Sequence, residues 1–141
     1  MQNFPELYII YIMNEREVST VHLQESGEMY LEAIYVLSKG GHAAVRAVDV
    51  GEYRGYSKPS VSRAVGLLKK GGYVETDAEG FLHLTKEGLA VAEKMFERHT
   101  TITELLVRLG VSRDVAEEDA CRIEHAIGDE SFEAIKKFVK P

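Results

Sequence analysis

Two predicted helices that flank a glycine turn constrain the fold more than any other feature of this chain. The first helix is expected over residues 45–53, and a tight turn at residues 54–56 follows it. Ser57 is a suitable N-cap for a second helix over residues 59–70, because its hydroxyl can accept a hydrogen bond from a free backbone N–H. Pro59 falls in the first turn of that helix, where its missing N–H costs nothing. The pattern predicts two short helices joined by a tight turn.

A hairpin follows this pair of helices. Residues 73–76 and 81–84 have strand character, and residues 77–80 join them as a turn. Ahead of both helices, residues 27–39 form an amphipathic pattern that Ser26 can cap. Helix, helix, turn, helix and hairpin is the order of a winged helix-turn-helix, in which the turn and second helix read DNA and the hairpin is the wing.

The rest of the chain is predicted to be helical. Thr85 caps a long helix, Ser112 or Asp114 begins a helix that runs through Ile127, and Asp129 caps a last helix. We therefore predict a mainly α protein with an N-terminal extension over residues 1–22. A winged helix-turn-helix DNA-binding domain is expected over residues 23–86, and an all-helical domain over residues 87–141.

Composition excludes several classes of protein. The chain has 141 residues, 45% of them hydrophobic, a net charge of −6 and one cysteine. A single cysteine rules out an intramolecular disulfide framework and fits a reducing cytoplasm. No stretch approaches the ~20 apolar residues that span a bilayer, and the apolar run within residues 1–13 is a poor signal peptide. We expect a cytoplasmic globular protein with no membrane partner.

The acidic net charge hides a strong polarity along the chain. Residues 53–74 contain five basic and no acidic residues, whereas residues 114–133 contain eight acidic residues and one arginine. A basic surface on the second helix of a helix-turn-helix attracts phosphate groups, and an arginine can bind a guanine edge with two hydrogen bonds. The candidate contacts to double-stranded operator DNA are Ser57, Lys58, Pro59, Ser60, Ser62 and Arg63.

The acidic segment holds a second constellation. Cys121, Glu124 and His125 fall at positions i, i+3 and i+4, which lie on one face of a helix. A thiolate, a carboxylate and an imidazole that converge are suited to a divalent transition metal. Met29 and Glu32 share a face of the first helix in the same way. By itself, the pattern also fits a buried cysteine beside solvated polar groups.

Four stretches of the chain closely resemble the metal-dependent repressors related to the diphtheria toxin repressor and the manganese transport regulator. They are Glu28-Met29-Tyr30-Leu31-Glu32-Ala33-Ile34-Tyr35, Ser57-Lys58-Pro59-Ser60-Val61-Ser62-Arg63-Ala64, Leu84-Thr85-Lys86-Glu87-Gly88 and Asp119-Ala120-Cys121-Arg122-Ile123-Glu124-His125. The resemblance implies a homodimeric repressor that binds Fe²⁺ or Mn²⁺ and then an operator near metal-uptake genes. It also implies that the helical domain binds the metal and forms the dimer, and that the SH3-like domain of many iron-type members is missing.

The resemblance also implies which residues hold metal. The primary ligands map to Met29, Cys121, Glu124 and His125. A second site of the iron branch maps to His99 and Glu117, but the acid expected one turn after His99 is Thr103, so this second site is incomplete. Glu32 matches a bridging carboxylate of the manganese branch. The soft donors Met29 and Cys121 favour Fe²⁺ over Mn²⁺, and Co²⁺, Ni²⁺ and Zn²⁺ are expected to bind in vitro.

The same residues leave two alternative functions open and predict an oligomeric assembly. The alternatives are a winged-helix regulator without metal that uses Cys121 as a redox sensor, and a metalloenzyme, which several filled ligand positions disfavour. The assembly is a dimer, because the last helices carry more apolar side chains than they can bury among themselves. Those side chains are Leu105, Leu106, Leu109, Ile123, Ile127, Phe132, Ile135 and Phe138.

Overall fold

The computed structural model describes residues 15–41 and 44–140, and it describes side chains from Ser26 onward. In these residues the elements are α1 (Glu15–Lys39), α2 (Ala47–Arg54), α3 (Lys58–Lys70), β1 (Val74–Thr76), β2 (Leu82–Leu84), α4 (Lys86–Arg108), α5 (Arg113–Ile123) and α6 (Asp129–Val139). The protein is mainly helical, and a winged helix-turn-helix precedes a helical domain, as the sequence predicts.

Helix α1 is longer than its sequence pattern indicates. It begins at Glu15, so Ser26 lies inside the helix and the expectation that it acts as an N-cap is wrong. Gly27 does not break the helix, although glycine costs about 1 kcal/mol in a helix interior. A Cβ at Gly27 would lie 3.4 Å from the side chain of Leu68, so the glycine allows α1 to pack closely against α3. The apolar run within residues 1–13 lies outside the described residues, and the predicted boundary at residue 22 falls within α1.

The helix-turn-helix has the predicted turn and cap. Gly55 ends α2 in the left-handed conformation, with φ 72°. The hydroxyl of Ser57 accepts a hydrogen bond from the backbone N–H of Ser60 at 3.3 Å and so caps α3. Val50 is fully buried, whereas Val48 is 45% exposed, because residues two apart on a helix point in nearly opposite directions.

The wing is a short antiparallel hairpin in which Val74 pairs with Leu84 and Thr76 with Leu82. The expectation that residue 45 begins a helix is wrong, because Val45 forms a β-bridge with Leu82 and α2 starts at Ala47. The N–H of Leu82 donates to the carbonyl of Val45 at 2.7 Å. This extra bond fixes the wing to the segment that enters the helix-turn-helix.

The core of the DNA-binding domain surrounds the second half of α1. Tyr30, Leu31, Ala33, Ile34 and Tyr35 of this helix are all buried. They pack with buried side chains of α2, α3, both strands and α4, namely Val50, Val61, Val65, Leu68, Val74, Leu82 and Ala92. Helix α1 is thus the central element of the domain, and its polar residues are held by this packing.

Helices α4, α5 and α6 form the C-terminal part. Helix α4 is continuous, but α5 ends at Ile123 and not at Ile127 as predicted. The helix ends early because the carbonyls of Glu124 and Ile127 accept hydrogen bonds from the buried guanidinium of Arg98, at 3.0 and 2.6 Å. The N-cap of α6 is Gly128, and the expectation that Asp129 fills that position is wrong. None of the described helices is both long enough and apolar enough to cross a membrane.

Candidate metal centre

Side chains from α1 and from the turn after α5 meet at the junction of the two domains. Glu32, Glu124 and His125 each offer one ligand atom, and these atoms all lie within 4.8 Å of one another. Their side chains are 3%, 0% and 1% exposed, respectively. Carboxylate oxygens and an imidazole nitrogen in one dry group are suitable ligands for a divalent transition metal.

Three atoms of this cluster are buried without a hydrogen-bond partner. They are Glu32 Oε2, Glu124 Oε1 and His125 Nε2. His125 Nε2 lies only 3.2 Å from Glu124 Oε1, but no hydrogen bond joins the two atoms. An unpaired buried polar atom costs about 1–3 kcal/mol, whereas a metal ion would give all three atoms a partner. The residues therefore fit a metal ion.

Two further side chains orient the cluster from outside. His99 Nδ1 in α4 donates a hydrogen bond to Glu124 Oε2 at 2.9 Å. His125 Nδ1 donates to Glu28 Oε2 at 2.9 Å, which turns the other ring nitrogen of His125 toward the cluster. A metal-ligating histidine commonly has such a carboxylate partner on its second nitrogen.

The electrostatics of the cluster separate its two carboxylates. Burial and the neighbouring carboxylate of Glu124 raise the pKa of Glu32 to about 8. Burial by itself would raise the pKa of Glu124, but the neighbouring imidazole of His125 and the hydrogen bond from His99 hold that pKa well below its ordinary value. Burial by itself would lower the pKa of His125, but the nearby carboxylate of Glu124 and the hydrogen bond to Glu28 raise that pKa to about 9. Metal binding to Glu32 and His125 is therefore coupled to the release of protons.

Cys121 lies beside this cluster and contacts an arginine. It occupies the last turn of α5, and its Sγ accepts a hydrogen bond from Arg54 Nη1 at 3.6 Å. Arg54 comes from the end of α2, and its Nη2 lies 3.9 Å from Glu32 Oε2. Burial and the charge of Glu124 raise the pKa of the Cys121 thiol, which disfavours the reactive thiolate of a redox sensor.

The other predicted ligands lie around the cluster. Met29 is half-buried in α1, between Glu28 and Glu32 in sequence. Glu117 is exposed, and it lines an open cleft together with His99 and Cys121. Thr103 is buried and its hydroxyl has no partner. Metal binding by Met29, Cys121, His99 and Glu117 stays a prediction.

Glu28 and Arg54 are not among the site residues predicted from the sequence. Glu28 had a signal, because it lies one helical turn before Glu32 and therefore shares its face of α1. Arg54 had none, since 67 residues separate it from Cys121 and no local pattern connects the two.

The candidate DNA-binding residues lie on an open surface. Ser57, Lys58, Pro59, Ser60, Ser62 and Arg63 are all exposed. Tyr56, directly ahead of this group, packs on Tyr30 of α1 with 5.2 Å between ring centroids. The start of the reading helix is thus in contact with the helix that carries Glu32.

The helical domain leaves apolar side chains uncovered. Leu109, Ile123 and Phe138 are 69%, 36% and 71% exposed. Leu105, Leu106, Ile127 and Ile135 are half-buried. The expectation that Phe132 is available to a partner chain is wrong, because this side chain is buried beneath the guanidinium of Arg98.

Comparison with protein families gives two matches that together cover most of the chain. Residues 22–82 match the model of the iron dependent repressor N-terminal DNA binding domain. Residues 85–141 match the iron dependent repressor metal binding and dimerisation domain.

Individual proteins give the same result. The chain is 31% identical over 119 residues to an uncharacterised regulator of the helix-turn-helix type from Methanocaldococcus jannaschii, covering 84% of this chain and 95% of that protein. It is 32% identical over 125 residues to the transcriptional regulator MntR of Escherichia coli O157:H7, covering 89% and 80%. The structure of the manganese regulator SloR matches with a TM-score of 0.72 and 30% identity, covering 80% of this chain. The chain spans about half of SloR, 53% of its length.

Proposed function

This chain belongs to the iron dependent repressor family of metal-dependent transcriptional repressors, and we propose that a divalent metal at Glu32, Glu124 and His125 switches it to operator binding as a homodimer. The observation that carries the proposal is that the cluster draws ligands from both parts of the protein. Glu32 belongs to the central helix of the DNA-binding domain, and Glu124 and His125 belong to the helical domain. Since the family consists of repressors, the metalloenzyme alternative is set aside.

The residues of the cluster would couple metal binding to the arrangement of the two domains. A bound divalent ion supplies positive charge that offsets the buried carboxylates. Glu32 Oε2, Glu124 Oε1 and His125 Nε2 would hold it, because these are the buried atoms that lack partners. Cys121 is the proposed fourth ligand, since it lies one helical turn before Glu124 and His125. When one ion binds all these ligands, α1 and the end of α5 would keep a fixed relative orientation.

The orientation of α1 would affect DNA binding through its contact with Tyr56. Tyr30 lies in the same helix as Glu32 and packs on Tyr56, which immediately precedes the N-cap of α3. In a dimer, two reading helices must meet half-sites about 34 Å apart, so a small rotation of α3 weakens binding. A ligand that binds the DNA-competent arrangement more tightly raises its population.

The proposed metal is Fe²⁺, with Mn²⁺ second. The thiol of Cys121 and the thioether of Met29 are soft donors, which favour Fe²⁺ over Mn²⁺. The oxygen donors Glu32 and Glu124 also suit Mn²⁺, and SloR is described as a manganese regulator. Met29→Asp replaces a soft donor with a hard one, so it should shift activation toward Mn²⁺, whereas unchanged relative activation by the two ions would count against Met29 as a ligand.

The proposed partners are operator DNA and a second copy of the chain. Lys58, Ser57 and Ser60 are assigned to phosphates and Arg63 to a base edge, since all four are exposed on α3 or at its N-cap. The exposed side chains of Leu109, Ile123 and Phe138 are assigned to the dimer interface. Operator binding would place the protein in the cytoplasm.

An anaerobic titration tests the proposal. Binding of the dimer to labelled DNA selected from a random pool is measured by fluorescence anisotropy with Fe²⁺, Mn²⁺ or no metal. Selection in the presence of metal yields the operator. We expect tight binding only with metal, and we expect Glu124→Gln and His125→Ala to lose the metal response.

Glu133→Gln is the matched control, because this exposed carboxylate lies on α6 outside the cluster. All three variants should keep a cooperative thermal transition without metal. Metal-dependent DNA binding by Glu124→Gln and His125→Ala with an unchanged metal midpoint would contradict the assigned site. DNA binding by the unaltered protein that ignores metal would contradict the function.

A further inference from the structure

The guanidinium of Arg54 lies between two of the proposed metal ligands. Its Nη1 donates to Cys121 Sγ at 3.6 Å, and its Nη2 is 3.9 Å from Glu32 Oε2. The Arg54 side chain is only 19% exposed, and its Nε is buried without a hydrogen-bond partner. A largely buried arginine normally has several good hydrogen bonds, whereas the polar contacts of the Arg54 side chain within the described residues are the two long ones to Cys121 and Glu32.

Arg54 also occupies a particular place in the chain. It is the last residue of α2, and Gly55 follows it in the turn that leads to the N-cap of α3. The side chain therefore joins the helix-turn-helix directly to α5, which carries Cys121, and to α1, which carries Glu32. Both contacts use groups that the proposed function assigns to the metal.

We propose that Arg54 is a built-in competitor of the metal: in the metal-free protein it holds Glu32 and Cys121, and it is released when these two residues turn to a bound ion. This inference rests on the proposed function. A fixed positive charge a few ångströms from the site lowers the affinity for a divalent cation. The same contacts of Arg54 hold the end of α2 to the helical domain until metal binds. Arg54 therefore sets the metal concentration at which the reading helix can move.

Linkage makes the prediction two-sided. If the Arg54 tie favours the metal-free arrangement, its removal raises metal affinity and metal-free DNA affinity together, because both ligands select the other arrangement. We expect Arg54→Gln to bind metal about tenfold more tightly and to bind DNA better without metal. Arg54→Lys keeps the charge, so its metal affinity should stay within about threefold of the unaltered protein.

The test measures metal binding without DNA. Affinity for Co²⁺ or Mn²⁺ is obtained by competition with a chelator on the full chain, under anaerobic conditions. Arg122→Gln is the matched charge control, because Arg122 adjoins Cys121 in α5, is largely exposed and pairs with Asp119 outside the cluster. It should change the affinity less than twofold, and metal-free thermal melting should show all three variants folded.

A spectroscopic measurement tests the release of Cys121. Thiolate coordination to Co²⁺ gives an intense near-ultraviolet charge-transfer band, which should appear on loading and be missing in Cys121→Ala. A Co²⁺-loaded protein without that band would leave Cys121 with Arg54 and overturn the inference. An equal or weaker metal affinity in Arg54→Gln would overturn it as well. If the unaltered protein bound no metal at all, the proposed function itself would fail.

Discussion

Glu28 and His125 are 97 positions apart in the sequence, yet Glu28 Oε2 accepts a hydrogen bond from His125 Nδ1 at 2.9 Å. Glu28 belongs to the DNA-binding domain, and His125 follows the helix that carries Cys121. The contact fixes the orientation of the imidazole. The DNA-binding domain thus contributes Glu28 to the candidate metal centre, although Glu28 is not one of the three clustered ligands.

Glu28→Gln should weaken metal binding without removing a ligand. The amide keeps the size of the side chain but accepts a weaker hydrogen bond, so the imidazole is less firmly oriented and less basic. Loss of such a partner typically costs 10–100-fold in metal affinity. Chelator competition measures the change, and Glu133→Gln serves as the control. A Glu28→Gln protein with unaltered metal affinity would show that His125 needs no support from α1.

Arg63→Ala and Lys58→Ala should affect DNA binding in different ways. Arg63→Ala is expected to weaken operator binding and relax the base preference at one position in each half-site, at a cost of about 1–3 kcal/mol. Lys58→Ala should weaken all sequences alike and lower the salt slope by about one unit per subunit. Binding to a set of single-base operator variants at several salt concentrations separates the two. Unchanged affinity and base preference in Arg63→Ala would mean that α3 is not the reading helix.

Arg98→Met should strongly destabilise the helical domain. Its buried guanidinium donates to the carbonyls of Glu124 and Ile127 and pairs with Asp129 at 2.5 Å. The substitution leaves both carbonyls without this donor, so we expect a loss of about 3 kcal/mol. Urea unfolding without metal measures it. Lys94→Met is the control, because Lys94 pairs with the same Asp129 at an exposed position, where an ion pair contributes at most about 1 kcal/mol. Equal losses in the two variants would contradict this account.

Gly88→Ala should disturb the junction of the wing and α4. A Cβ on Gly88 would overlap the backbone carbonyl of Tyr73, which a change of rotamer cannot relieve. We expect a destabilisation of about 3 kcal/mol. Gly66→Ala is the matched control, because Gly66 lies in α3 with open space at its Cα. That change should stabilise the protein by about 0.5–1 kcal/mol. Thermal unfolding compares them, and a Gly88→Ala protein as stable as Gly66→Ala would exclude the close approach.

The wing should loosen at acid pH through Asp77. Its carboxylate pairs with His83 at 2.8 Å and accepts N–H bonds from Phe81 and Glu79. The bond to His83, followed by that from Phe81, lowers the pKa of Asp77 below its ordinary 3.8. Because the folded pKa is the lower one, this contribution is fully present above about pH 4 and is lost as the pH falls through the folded value. Backbone chemical shifts of residues 74–84 should move in this range in the unaltered protein and stay constant in Asp77→Asn. Identical shifts in both proteins would contradict the assignment.

Local chemistry explains which parts of the fold were predictable. Ser57, Gly55 and the alternating strands of the wing act through residues within a few positions of themselves, so the sequence contains the whole signal. Helix α1 was predicted too short because Ser26 and Gly27 are typical of a helix start, whereas in the structure the helix continues through both residues.

The candidate site likewise has one part that local sequence predicts and one part that depends on contacts between distant segments. Cys121, Glu124 and His125 lie close together in sequence, so their spacing points to a metal. The turn that ends α5 at Ile123 depends on Arg98, which lies 26 residues before Glu124, and no local pattern predicts it. Glu28 reaches the site because α1 packs against α4, and Arg54 reaches it by its side chain from the end of α2. Contacts between distant segments are therefore the part of the site that periodicity cannot predict.

Helix α1 lies between the candidate metal cluster and the residues that support the reading helix. Within five residues, α1 carries Glu28, Tyr30 and Glu32, so two side chains of the candidate metal centre and the ring that supports the reading helix share one helical backbone. A substitution that shifts this backbone changes both activities together. Under the proposed function, a variant that still binds metal but no longer binds DNA in response to it should carry its change elsewhere, in α2 or in the turn at Gly55. Engineering a repressor with a new inducer would begin at those few residues and leave α1 untouched.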